Sequence, residues 1–199
     1  GGNGVANSTV FGSIAGDSMA AWVPKQGALV EPDQAVIDAT VARCQLPFGA
    51  PPGDVNDLRE RLSTLMWDDV GIMRTAEGLG RAIAGLDALA AELPSLGVAD
   101  RDRRFNLTWH DWLNLESLIL VSRAIAAAAL VRENSRGAHF REDFPDPGDL
   151  PGSTFTLVRL QNGGIETGHR PVQFTRVRPG ESLVEGAGVP PAAAQARPV

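Results

Sequence analysis

The sequence predicts a mainly α protein: a bundle of three to four helices, closed by a small C-terminal β-hairpin and preceded by one helix that stands apart. Three observations carry this prediction. Apolar residues recur in steps of three and four between positions 55 and 131, the period of a helix with one buried face. Clusters of proline and glycine, 14 and 22 residues in all, cut the chain into segments of helix length. After Pro145, Pro147 and Pro151 the period changes to two, with Asn162-Gly163 at its centre.

The opening segment, residues 1–24, is built of small residues, with Val5, Ser8, Gly12, Gly16 and Met19 at helical spacing. A helix this rich in glycine is weak alone, since each glycine costs about 1 kcal/mol against alanine. Small residues at four-residue spacing instead permit close approach to a neighbour. Pro24 ends the helix. Residues 25–53 read as a connector, with a short helix entered at Glu31-Pro32-Asp33 and stopping by Gln45, ahead of Pro47, Pro51, Pro52 and Gly53.

The bundle is expected over 54–147. Asp54 reads as the N-cap of a helix whose stripe is Leu58, Leu62, Leu65 and Met66. The next helix carries Ile72, Ala76, Leu79, Ile83, Leu86, Ala90 and Leu93, closed by Pro94. A charged loop follows, with the run Arg101-Asp102-Arg103-Arg104. A long helix is expected from Thr108, with Thr108 and Asp111 as a capping-box-like pair, to about Ser135, and with Gly137 as its stop. Its segment 117–131 is nearly all apolar. A bilayer span needs about 20 such residues and Arg123 interrupts this one, so it reads as a central, buried bundle helix and no transmembrane segment is expected. The hairpin falls in 148–178, and the Pro- and Ala-rich residues 179–199 read as a flexible tail.

Composition excludes several classes of function. With 199 residues, 43% hydrophobic and 21% charged, the chain can bury a core. A net charge of −6 argues against broad binding to nucleic acid. One cysteine, Cys44, and three histidines, His110, His139 and His169, are too few for most metal sites, and none is expected. GLGRAIAG at 78–85 departs from a G-x-G-x-x-G fingerprint, follows no strand and lies in a helical stripe, so it reads as helix packing. Cys44 has no catalytic partner in the pattern and reads as a small buried hydrophobe. The polar run from Arg132 to Asp143, with its arginines, carboxylates and His139, reads as a salt-bridged helix end. No catalytic residue is assigned.

The start of the chain carries a different signal. Residue 1 is glycine, no initiator Met is present, and no signal-peptide pattern follows, so the sequence reads as part of a longer protein. GGNG ahead of a helix presents unpaired amide N–H groups at a positive dipole end, a geometry suited to an anion or an electron-rich carbonyl. A plain glycine-rich turn fits the same spacing.

Four stretches, in order, resemble one family. GGNGVANSTVFG resembles the last flavin-contacting segment of the succinate dehydrogenase/fumarate reductase flavoproteins, G-[SG]-N-S-L-L-[DE]-x-V-V-F-G. LMWDDVGIMRTAEGLGRA resembles their helical-domain signature M-W-x-x-V-G-I-x-R. NLESLILVSRAIAAAALVRENSRGAHFREDFP is similar to N-L-x-x-V-A-x-x-I-x-x-A-A-L-x-R-x-E-S-R-G-A-H-x-R-x-D-[FY]-P, and GHRPVQFTRV resembles the closing Y-R-P-V strand.

The resemblance spans roughly residues 1–178. It implies the C-terminal part of an FAD-dependent oxidoreductase moving hydride between a succinate- or fumarate-like dicarboxylate and FAD. On this reading residues 1–24 are the last helix of the flavin domain, and Asn3, Gly4 and Val5 match cofactor contacts. The positive helix end there would favour negative charge on the flavin ring. Gly4 stands where Ser is usual and Asn7 where Asp or Glu is common, which leaves the substrate open.

The dinucleotide fingerprint, the proton-donating Arg and the substrate-binding residues are expected upstream of Gly1, so the fragment alone is expected to be inactive and to bind no FAD. The resemblance also implies partners, namely the protein's own flavin domain and an iron–sulfur subunit, and a cytoplasmic location at the inner face of the membrane through such subunits. A rival reading is a non-catalytic helical interaction module that docks a partner protein through its 101–143 face.

Overall fold

The computed structural model describes residues 4–182, and the expected mainly α architecture with one small antiparallel hairpin is what it shows. The chain divides into two compact units between Arg43 and Cys44. The flexible tail expected at 179–199 lies largely outside the described residues.

The first unit holds α1 (Gly4–Trp22), a 3-10 turn at Val23–Lys25 around Pro24, and the first turns of α2 (Gln34–Gly49). No residue of α1 is buried. The hydroxyls of Ser8 and Thr9 donate to the carbonyls of Gly4 and Val5 at 2.8 and 2.9 Å, so both are spent on the helix itself. Gly27 takes φ +76° after the proline turn, a conformation that favours glycine. Asp33 caps α2 by accepting from Ala35 N at 2.9 Å.

The second unit is built on α3 (Val55–Val70), α4 (Ala76–Glu92) and α5 (Leu107–Val131). Asp54 caps α3 as expected, accepting from the amides of Asn56 and Asp57 at 3.0 Å. Leu58 and Leu62 of α3, Leu79, Leu86 and Leu89 of α4, and Leu115, Ile119 and Ala126 of α5 form one core. Each fully buried leucine or isoleucine contributes about 1.5–3 kcal/mol of transfer free energy. Trp112 is buried at the centre, and its indole N–H donates to the carbonyls of Leu96 at 2.8 Å and Leu93 at 3.3 Å. GLGRAIAG lies inside α4, where Gly85 lets Leu65 of α3 pack against the backbone.

Four boundaries differ from the sequence expectation. Helix α2 runs on to Gly49 with Pro47 inside it. Tertiary bonds hold that last turn: Trp109 Nε1 donates to Cys44 O at 2.7 Å, Val98 N to Pro47 O at 3.1 Å, and Arg101 to Phe48 O. The following Pro51–Gly53 stretch pairs with Gly97 through two backbone bonds. Ile72 is exposed and precedes α4, because the chain leaves the helix at Gly71 and Thr75, not Ile72, sets the new start by accepting from Gly78 N at 3.1 Å.

The cap of α5 is Asn106, not Thr108. Its side-chain oxygen accepts from Trp109 N at 2.9 Å, while its amide nitrogen donates to Asp100 O and Asp102 O. At the far end α5 stops at Val131 rather than Ser135, because Arg132 leaves helical geometry and the Arg141 guanidinium takes the terminal carbonyls. Gly137, with φ +60°, forms instead a turn in which Arg136 and His139 exchange backbone bonds.

Nor is α5 buried on all sides. Trp112, Leu115, Ile119, Ser122, Ala126 and Ala129 face the bundle, while Leu118, Val121 and Ile125 are exposed. By length and composition it is the one described helix long and apolar enough to cross a membrane, and 28% of that window is buried. Arg123 on it pairs with Asp87 of α4 at 2.8 Å.

Two strand pairs complete the unit. Strands β1 (Met73–Arg74) and β2 (Phe140–Arg141) pair in parallel, with Arg74 opposite Arg141. Strands β3 (Thr154–Gln161) and β4 (Gly164–Pro171) form the antiparallel hairpin on α5. Its turn, Asn162-Gly163, has φ of 50° and 79°, the doubly positive geometry that Asn-Gly favours.

Candidate functional site

Two places answer to the sequence expectations. Of the three residues matched to flavin contacts, Asn3 lies outside the described residues. Gly4 and Val5 form the exposed first turn of α1, with no acidic side chain in it. Among the described residues a Cβ built on Gly4 would meet nothing within 4 Å. The first amides of a helix have no intrahelical acceptor, and a flavin carbonyl fits such donors. Among the described residues no group of three or more His, Cys, Asp or Glu could hold a metal ion.

The second place is the run from Arg132 to Asp143, which the mini-sheet folds back over the end of α5. Arg141 is 1% exposed, and its Nη1 donates to Ala129 O at 2.9 Å and Leu130 O at 2.8 Å. Its other nitrogens grip both oxygens of Asp143, at 2.7 and 2.8 Å. Asp143 in turn accepts from Ala76 N, the first amide of α4, at 2.8 Å. One ion pair thus joins the negative end of α5 to the positive end of α4. The Arg141 guanidinium beside Asp143 holds its carboxyl well below the usual carboxylate range, with the Ala76 amide adding to the effect.

His139, 9% exposed, bridges a different pair. Its Nδ1 lies 2.9 Å from Arg74 Nη1, a donor, and its Nε2 lies 3.0 Å from Arg132 O, an acceptor. Those partners require a neutral ring protonated at Nε2. Burial pushes the imidazole pKa down, aided by the charges of Arg132, Arg74 and Arg141 and partly offset by its bond to Arg132 O. Burial likewise lowers the pKa of Arg74, with the charge of Arg132 adding. Ser135 ties the loop by donating to Phe144 O at 2.8 Å and accepting from Arg141 N at 2.9 Å.

This arrangement joins helix ends and strands. The ion pair at this helix end is Arg141 with Asp143. What sequence reasoning missed is Arg74, which pairing of β1 with β2 brings to His139 from 65 positions away. Cys44 is half-buried at the end of α2, and only its carbonyl bonds to Trp109.

Comparison with known proteins gives consistent relatives. The family model described as fumarate reductase flavoprotein C-term matches residues 59–184. An FAD-dependent oxidoreductase of Methanocaldococcus jannaschii is 34% identical over 153 residues, covering 73% of this chain and 26% of that protein. A fumarate reductase flavoprotein subunit of Mycobacterium tuberculosis is 34% identical over 130 residues, covering 65% of this chain and 22% of its own length. Among solved structures, Sdh1 of Mycobacterium smegmatis, in its apo complex, matches with a TM-score of 0.80 and 29% identity, over 90% of this chain and 31% of that one. The chain therefore spans about a quarter of the length of the curated relatives it matches.

Proposed function

Because the chain belongs to the fumarate reductase/succinate dehydrogenase flavoprotein family, through that family's C-terminal region, we propose that it is the C-terminal part of an FAD-dependent oxidoreductase acting on a small dicarboxylate. The match of the family model over 59–184 carries the reading. FAD, when bound, supplies the hydride chemistry at the carbon–carbon bond of a succinate- or fumarate-like substrate. This chain's share is to bind and to position. The amides at Asn3, Gly4 and Val5 would hold a flavin carbonyl, and the positive end of α1 would favour electron density there. Residues 1–24 would be the last helix of the flavin-binding part, and the bundle would be the family's helical domain. An iron–sulfur subunit is the expected electron partner, at the cytoplasmic face of the membrane.

The chain alone is inactive on this proposal, since one helix start cannot enclose a dinucleotide. Titrating FAD into the 199-residue chain in a calorimeter is expected to give no binding heat, and micromolar affinity would refute the inactive-fragment statement. The parent reading has its own test. A longer protein containing this sequence is expected to purify yellow and to bleach on adding succinate, whereas a colourless preparation would favour a non-catalytic docking module instead.

A further inference from the structure

Elsewhere in the bundle Arg59, Arg61, Arg81, Arg123 and Arg141 each hold a carboxylate. Three arginines beside the end of α5 do not. Arg74, Arg132 and Arg136 line one concavity of about 710 Å³ together with His139, and none has a carboxylate partner among the described residues. Arg136 spends its nitrogens on neutral acceptors: the carbonyls of Pro147 and Asp149 and the Ser153 hydroxyl. Arg74 uses Nε on Val70 O and Nη1 on His139. Arg132 uses only Nε, on Asn134. Donors on Arg74 and Arg132 therefore remain without a partner among the described residues, while neither belongs to the buried unsatisfied atoms.

Apart from the hydroxyl residues Ser153, Thr154 and Thr156, the rest of the concavity is apolar. Ile125 and Ala128 of α5 form one wall, and Phe155 of β3 with Val172 forms another. Leu118, Val121, Ile125, Ala128 and Arg132 succeed one another at steps of three and four, so an exposed apolar stripe of α5 leads straight to the arginine. The volume lies in the range of small-molecule sites, about 300–1,000 Å³. A ligand that fits has an anionic head for the guanidinium donors and a short hydrocarbon body for the walls. Inorganic phosphate has only the head.

We propose that this concavity binds a small organic acid, its carboxylate held by Arg74 and Arg132 and its hydrocarbon body laid between Ile125 and Phe155. Binding brings a negative charge to Arg74 and Arg132, the second of which now opposes the charge of the first. It also raises the pKa of His139, because the added anion favours the imidazolium.

The test uses the 199-residue chain at constant ionic strength, following the His139 ring nitrogens by NMR while acetate, hexanoate or inorganic phosphate is added. Hexanoate should shift them saturably and bind more tightly than acetate, by about fourfold for each CH₂ buried. Arg132→Gln should weaken hexanoate binding at least tenfold while leaving the circular dichroism unchanged. Phe155→Ala should weaken hexanoate and leave acetate as it was, and Arg159→Gln, outside the concavity, should change neither. The proposal is overturned if hexanoate does not saturate, if phosphate binds as tightly as hexanoate, or if a folded Arg132→Gln chain binds hexanoate unchanged. Binding confined to acidic peptides would also overturn it, by making the concavity a protein-docking seat.

Discussion

Replacing Arg141 with Met should cost the second unit about 3–4 kcal/mol. Met keeps much of the apolar stem and deletes the charge, so the loss is polar. Two terminal carbonyls of α5, those of Ala129 and Leu130, lose their donor in a site where Arg141 is 1% exposed. Each orphaned buried acceptor costs about 1–3 kcal/mol. Asp143 loses both of its guanidinium bonds but keeps the Ala76 amide and is 30% exposed, so its share is small. Removing one partner of a fully buried pair costs about 3–5 kcal/mol, and this site belongs at the lower half of that range.

Urea unfolding measures the loss as a fall in midpoint at unchanged slope. Asp143→Asn should destabilise as well, and the double variant should cost less than the two singles summed, by at least about 1 kcal/mol. The penalty should persist in high salt, because the guanidinium is shielded from solvent ions. A loss below about 1 kcal/mol for Arg141→Met, or strict additivity with Asp143→Asn, would refute the claim that this pair joins α5 to α4.

Three further outcomes are expected. The pKa of His139 is lowered on folding, so the unfolded chain takes up the proton first: stability is full above about pH 6.5 and falls as pH drops below it, and a second loss begins below about pH 3.9 where Asp143 protonates in the unfolded state. His139→Gln should flatten the urea midpoint between pH 7 and 5, and an unchanged slope there would remove His139 from the account. Asn106→Ala should cost about 2 kcal/mol, since a cap and two buried amide bonds go together, whereas Thr108→Ala should stay within about 0.5 kcal/mol in the same urea assay; equal effects would restore Thr108 as the cap. Gly80→Ala should stabilise by about 0.5–1 kcal/mol in thermal melts, because a Cβ there meets nothing within 4 Å, while Gly97→Ala should destabilise strongly, its Cβ driven into the Ala50 carbonyl.

The sequence was most readable where a signal is local. The Asp54 cap, the Leu58–Leu62 stripe and the Asn162-Gly163 turn each depend on residues within a few positions, and each stands where local chemistry puts it. The boundaries that moved did so under contacts from far along the chain. Pro47 should have ended α2, yet Val98 and Trp109 supply the bonds that keep its last turn. Thr108 has the better capping-box pattern, but Asn106 also satisfies the Asp100 and Asp102 carbonyls, and one residue that answers three backbone groups wins over one that answers one.

The Arg132–Asp143 run shows the same limit in a functional setting. Its composition announced a polar cluster, and its arginines all looked alike. What separates them is pairing. Arg141 is itself buried and finds the partly exposed Asp143 two residues away, whereas Arg74, brought to His139 by the β1–β2 pair, and Arg132, at the end of α5, find no carboxylate among the described residues. A buried, paired arginine holds helix ends together, and losing it is read in stability. A half-buried arginine with spare donors beside apolar walls is read in binding instead. Arg141→Met and Arg132→Gln therefore separate the two roles within one short segment: the first should unfold the bundle at lower urea, the second should leave the midpoint and remove the ligand.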